Sequence, residues 1–207
     1  MIMALRRAFR DRRGVTAVEF GLVAPVMILM MMGLGDLLYQ TYVKEMLNGA
    51  VQKAARDSAI QGGAQQTDTI DAKVLTMMAS IMRAPTASCA TPAPTGTYCS
   101  SRRSYATFGS VGPEPFVDGN GNNQRDPGEC YTDVNGNGSW DAEPGAIGQG
   151  GANDVTLYTM RITYLRLFPV ARVLGVSSNQ TVTVQTLLKN QPYATQAAAT
   201  VKKICTP

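Results

Sequence analysis

Residues 15–38 read VTAVEFGLVAPVMILMMMGLGDLL, and residues 20–35 within them carry no charge. As a helix this stretch covers roughly 36 Å, enough to cross the hydrocarbon core of a bilayer. Arg6, Arg7, Arg10, Arg12 and Arg13 stand just before it, against the single acid Asp11. The positive-inside rule therefore makes residues 1–14 a basic cytoplasmic leader, residues 15–38 a transmembrane helix and residues 39–207 an exported head. A cleaved secretory signal fits poorly, because the apolar run is too long and no clear small-x-small site follows. A soluble core helix is rarely apolar on all sides behind an arginine cluster.

The formal charge of +4 resides in that leader; the remaining chain has as many acids as bases. The head thus shows no basic balance pointing to nucleic acid. There is no histidine, which removes the commonest general base and metal ligand. With no nucleophile motif and no phosphate-cradling glycine loop either, an enzyme is not expected. Cys89, Cys99, Cys130 and Cys205 all follow the apolar segment and form no CxxC pair. In an exported domain they predict two disulfides. A Cys89–Cys99 bridge would close a short Pro/Thr/Ser-rich loop and leave Cys130–Cys205, although four cysteines permit three pairings.

Two charges interrupt the apolar run. Asp36 lies near its far end, at interface depth. Glu19 lies near its start, and ionised in lipid it needs a partner. Gly14-Val15-Thr16-Ala17-Val18-Glu19-Phe20 resembles the cleavage signature of type IV prepilins, in which a peptidase cuts after the glycine. The resemblance implies processing between Gly14 and Val15, with Glu19 and Phe20 as the fifth and sixth mature residues. The new amine of Val15 would then pair with Glu19 of a neighbouring subunit, two buried charges that meet on assembly. The wider stretch RRGVTAVEFGLVAPVMILMMMGLGDLLYQ, with Pro25 and Asp36 in place, is similar to the TadE-like family of tight-adherence pilus proteins. That resemblance covers about the first 60 residues. It implies a minor pilin or pseudopilin with other pilin subunits and a prepilin peptidase as partners.

Beyond the membrane the helical period continues through Val43, Met46, Leu47, Ala50, Val51, Ala54 and Ser58, predicting one helix from about Val15 to Gln61, ended by Gly62-Gly63. Pro25 inside it is a candidate kink. A second amphipathic helix is expected over 69–83, with Ile70, Val74, Met77, Met78 and Ile81 buried. Residues 84–104 read as a loop, 105–111 as an edge strand, and 155–168 and 181–187 as strands. Pro169 to Val176 reads as a turn or short helix. The expected fold is α+β: a long helix, a second helix and a small antiparallel sheet.

An insertion at 112–147 carries DGNGNNQRDPGECYTDVNGNGSWDAE over residues 118–143. It holds two copies of D-x-N-x-N-x-x-x-D, offset by 15 residues: Asp118, Asn120, Asn122, Asp126, then Glu129; and Asp133, Asn135, Asn137, Asp141, then Glu143. In an EF-hand-like loop positions 1, 3, 5 and 9 offer side-chain oxygen and position 7 a carbonyl, here Gln124 and Ser139. Glu129 falls at position 12; Glu143 falls one residue early. Hard oxygen donors suit calcium or magnesium rather than zinc. Without flanking amphipathic helices, the segment resembles the calcium loops of dockerin-like and thrombospondin-type repeats. One or two calcium ions are expected; the alternative is an ordinary Gly/Asn/Asp surface turn.

The sequence therefore predicts a structural subunit of a tight-adherence pilus. It would sit in the bacterial inner membrane with its head periplasmic, assemble through its N-terminal helix and present a calcium-stabilised head. The competing expectation is a permanently anchored, calcium-dependent adhesion protein of the periplasm.

Overall fold

The computed structural model describes residues 15–59, 66–191 and 201–205. The leader, Gly14 and the glycine pair at 62–63 lie outside the described residues. Helix α1 runs Val15–Ser58 without interruption, with Pro25 inside it. Two compact units divide the chain, one of residues 1–42 and 165–180, the other of residues 43–164 and 181–207.

The second unit is α+β. Along α1, Val43, Leu47, Ala50, Val51, Ala54 and Ala55 are buried, the stripe expected from a 3.6-residue period. Met46, expected on that stripe, is only half-buried. Helix α2 is Thr67–Met77, shorter than its pattern predicts. Its buried side chains are Ile70, Asp71 and Val74, followed by Met78 and Met82. Met77 and Ile81, expected inside, are not buried. The chain leaves the helix at Met78, whose N–H bonds to Val74 and Leu75 carbonyls, and tightens into turns. That change of path brings Met82 inward in place of Ile81.

The strands are β1 Thr86–Ala87, β2 Thr97–Tyr105, β3 Tyr131–Asp133, β4 Ala146–Ile147, β5 Val155–Leu165, β6 Asn179–Lys189 and β7 Lys202–Ile204. The main sheet has the order β1-β2-β5-β6, with β4 also on β2. β1 joins β2 in parallel, whereas β4 and β5 join it antiparallel. The sheet is thus mixed, not purely antiparallel. β3 and β7 form a separate antiparallel pair. On β5, Tyr158, Met160, Ile162 and Tyr164 face the core, and Val182 and Val184 do so from β6, the alternation a half-buried strand requires.

Two sequence expectations change. Residues 97–105 are a strand, not the end of a loop, and residues 105–111 hold a 3-10 turn at Phe108–Ser110 rather than an edge strand. Thr97-Tyr98-Cys99-Ser100-Ser101-Arg102-Arg103-Ser104-Tyr105 has little apolar alternation. Tertiary pairing makes it a strand, in register with β5 from Thr97↔Thr163 to Tyr105↔Val155. A buried polar cluster fastens it to α2. Asp71 accepts from both Nη atoms of Arg102, from Ser100 Oγ and from Tyr158 Oη at 2.6 Å. The Arg102 guanidinium lies 4.3 Å from the centre of the Tyr158 ring. Burial first, then the bond to Asp71, pushes the Tyr158 phenol above its ordinary value, so it stays a neutral donor.

Both disulfides form. Cys89–Cys99 ties the segment after β1 to β2, and Cys130–Cys205 ties the start of β3 to the end of β7.

Candidate functional site

In the first unit α1 is an apolar rod with nothing packed over most of it. Phe20, Leu22, Met30, Met31, Leu34 and Leu38 are each more than half exposed. Burial of such a surface in lipid or against other helices is strongly favourable, and its exposure to water is not. It is the one helix among the described residues long and apolar enough to cross a membrane. Glu19 is exposed near its beginning. Asp36, by contrast, is paired: Arg166 Nη1 donates to its carboxylate, and both side chains are largely buried. Beside this pair Gly35 sits on the Phe168 ring, so closely that a Cβ there would come 2.9 Å from Cζ.

In the second unit the acidic segment folds into two loops of the same design. In the first, Asp118 accepts from the N–H groups of Gly121, Asn122 and Asn123. In the second, Asp133 accepts from Gly136 and Gly138. The amides at positions 3 and 5 turn inward onto the acid at position 9: Asn120 and Asn122 donate to Asp126 at 2.7 and 2.8 Å, and Asn135 and Asn137 to Asp141 at 2.8 and 2.6 Å. The position-7 residues place their N–H groups on the position-5 amide oxygen, Gln124 on Asn122 and Ser139 on Asn137. Left-handed backbone recurs at positions 4 and 6, at Gly121 and Asn123 and again at Gly136 and Gly138. Asn123 takes a conformation asparagine tolerates better than most residues. The N–H of Asn123, then those of Gly121 and Asn122, hold the Asp118 carboxyl below the usual carboxylate range.

The two loops take their glutamates from different places. Glu129 closes the first loop, accepting from Gly119 N–H at 2.7 Å and Asp126 N–H at 2.9 Å, positions 2 and 9. Glu143 is not its counterpart: it pairs with Arg103 Nε at 3.0 Å and accepts from Tyr105 Oη. Positions 2 and 9 of the second loop, Val134 and Asp141, donate instead to Glu114, at 2.8 and 3.0 Å. Glu114 is only 1% exposed. The backbone follows the same pairing, since Glu129 N–H bonds to Asp126 O and Glu114 N–H to Asp141 O. Between the loops Phe116 and Tyr131, also 15 residues apart, form an antiparallel bridge flanked by Val117 N–Cys130 O and Thr132 N–Pro115 O bonds. Around it gather Trp140, edge-on to Phe116 and donating to Glu114 O, and Arg125 over the Tyr131 ring. The segment thus has an aromatic nucleus of its own. Among the described residues, no three or more Asp, Glu, His or Cys side chains converge as a ready-made metal group. The carboxylates are engaged by N–H groups, within an all-oxygen and amide lining.

Residues 14–56 match the TadE-like protein family. Over these residues the chain is TadE-like. No curated protein and no solved structure matched it. The TadE-like match points to a pilus-associated, minor-pilin-like protein, and it ends before α2, the sheet and the acidic loops. Within the TadE-like helix, Glu19 and Phe20 are both exposed, and Val15 is its first described residue. Two residues outside it were missed in the sequence. Arg166, the partner of Asp36, is 130 residues away and carries no local signal. Glu114 did carry one: the 15-residue period extends back from the aspartates, with Glu114 four residues before Asp118 as Glu129 is before Asp133.

Proposed function

We propose that this chain is a minor-pilin-type structural subunit of a tight-adherence pilus, held in the inner membrane with its head periplasmic and assembled through α1. The observation that carries this reading is the coincidence of the TadE-like match with a helix whose apolar side chains are left uncovered. In this reading a prepilin peptidase cuts after Gly14, and Glu19 meets the Val15 amine of the next subunit. Glu19→Ala is expected to leave membrane insertion intact, since losing an acid at membrane depth eases insertion. It should reduce co-purification with other pilus subunits several-fold. Native protein should begin at Val15 by N-terminal sequencing. Unchanged co-purification at native expression would exclude the pairing, and a retained leader in an unassembled protein would favour the anchored adhesion protein.

The second element of the proposal is calcium. The donor set supports it: Asp118, Asn120, Asn122, Asp126 and Glu129 in one loop, Asp133, Asn135, Asn137, Asp141 and Glu114 in the other, with the carbonyls of Gln124 and Ser139 at position 7. All are hard donors, and the acids repel one another without a cation. An ion held only by the folded loops would add about 2.7 kcal/mol per site at a hundredfold excess over its dissociation constant. Millimolar calcium should therefore raise the melting temperature of metal-stripped protein, and magnesium less so. Asp118→Ala with Asp133→Ala should abolish the rise. No thermal shift and no calorimetric heat would leave the loops as hydrogen-bonded turns.

A further inference from the structure

The connection between β5 and β6, residues 165–180, reads LRLFPVARVLGVSSNQ and contains two arginines and no acid. It folds around the short helix α3, Val170–Val173, and buries Val170 and Ala171. Its other large apolar side chains point outward: Leu165, Leu167, Val173, Leu174 and Val176 are all more than half exposed, Leu174 at 67%. Few water-facing loops of this length expose so many. The same loop is fixed to α1 by the Arg166–Asp36 ion pair and by Phe168 against Gly35. Asp36 lies 21 residues beyond Val15, which is roughly 32 Å along the helix and so at the far boundary of a hydrocarbon core.

We infer that residues 165–176 form a second membrane contact, an apolar tip seated in the lipid interface beside the outer end of α1. This rests on reading α1 as a membrane span. The occupant of the exposed face is lipid, because the loop is continuous with the lipid-facing surface of α1 and level with its end. Its chemistry fits as well. Leu167, Val173, Leu174 and Val176 would enter the acyl boundary, and Arg172, exposed and without an acid in the loop, suits anionic phosphate. Arg166 neutralises the one carboxylate at that depth, so that Asp36 meets lipid as half of a pair rather than as a lone charge.

The native cysteines are all in disulfides, so one added cysteine gives a unique labelling site. Full-length protein carrying an environment-sensitive fluorophore at Leu174→Cys, Met30→Cys or Ile147→Cys would be reconstituted in phosphatidylethanolamine–phosphatidylglycerol vesicles containing nitroxide lipids. Ile147 is 91% exposed and serves as the aqueous reference. The expected result is quenching at position 174 by nitroxides high on the acyl chain, severalfold above position 147, with position 30 quenched by nitroxides near the chain end. Quenching at 174 no greater than at 147, with 30 quenched, would overturn the second contact and leave the span standing. A label at 174 shielded from aqueous iodide yet untouched by lipid nitroxides would mean a protein surface covers the tip, and would overturn it too. An unquenched label at 30 would remove the span and this contact with it.

Discussion

Asp71→Ala is expected to cost the head about 3–5 kcal/mol, the loss typical of removing one member of a buried ion pair. Asp71 is where α2, β2 and β5 are joined, because its two oxygens take bonds from Ser100, Arg102 and Tyr158. Without it the Arg102 guanidinium remains buried with no counter-charge, and the Tyr158 hydroxyl loses its acceptor inside the core. Both penalties are those of uncompensated burial, larger than the net worth of the bonds themselves. Thermal melting of the full chain in detergent should fall by roughly 6–20 °C, at about 2–4 °C per kcal/mol for a unit of this size. Asp71→Ala combined with Arg102→Met should recover much of the loss, since apolar side chains often replace a buried ion pair without cost. A fall of only a degree or two for the single variant would show that water reaches the cluster.

Replacing Cys130 and Cys205 together by serine should cost about 4.5 kcal/mol, and replacing Cys89 and Cys99 together nearer ~2.7 kcal/mol, on the chain-entropy account of cross-links. The difference comes from loop length, a sequence separation of 75 against 10. The longer bridge has a local consequence as well. It holds β7 to β3, and β3 ends at Asp133, the first residue of the second acidic loop. Melting temperatures of the two double variants, compared under identical conditions, test the order. Equal losses, or a larger loss at the short bridge, would contradict it.

Helix α1 was legible as a long apolar helix because an uncharged run of some sixteen residues passes directly into a stripe of 3.6-residue period. Strands β5 and β6 were legible from period-two alternation, and the disulfides from where the cysteines fall. Strand β2 was not: Ser100, Ser101, Arg102 and Arg103 are poor local evidence for a strand, and the stabilising contacts come from α2 and β5. Asp71 was hidden for the same reason, as a polar residue on an amphipathic helix is normally solvated. The twin loops were legible as a repeat, yet Glu143 drew attention away from Glu114. Reading forward from each aspartate follows the familiar order of a calcium loop. That order holds for the first loop, which Glu129 closes, whereas the second loop is closed by Glu114, a glutamate lent from before the first copy.

That loan has a consequence for how such an insertion can arise and be lost. Copies joined only end to end can grow or shrink by one unit at a time. Here a slip that removed residues 133–147 would leave the first loop its own Glu129 but strand the buried Glu114 without the Val134 and Asp141 N–H groups it serves, and one that removed residues 118–132 would strip Phe116 of its bridge partner Tyr131. Excision of residues 114–143 together leaves no such orphan.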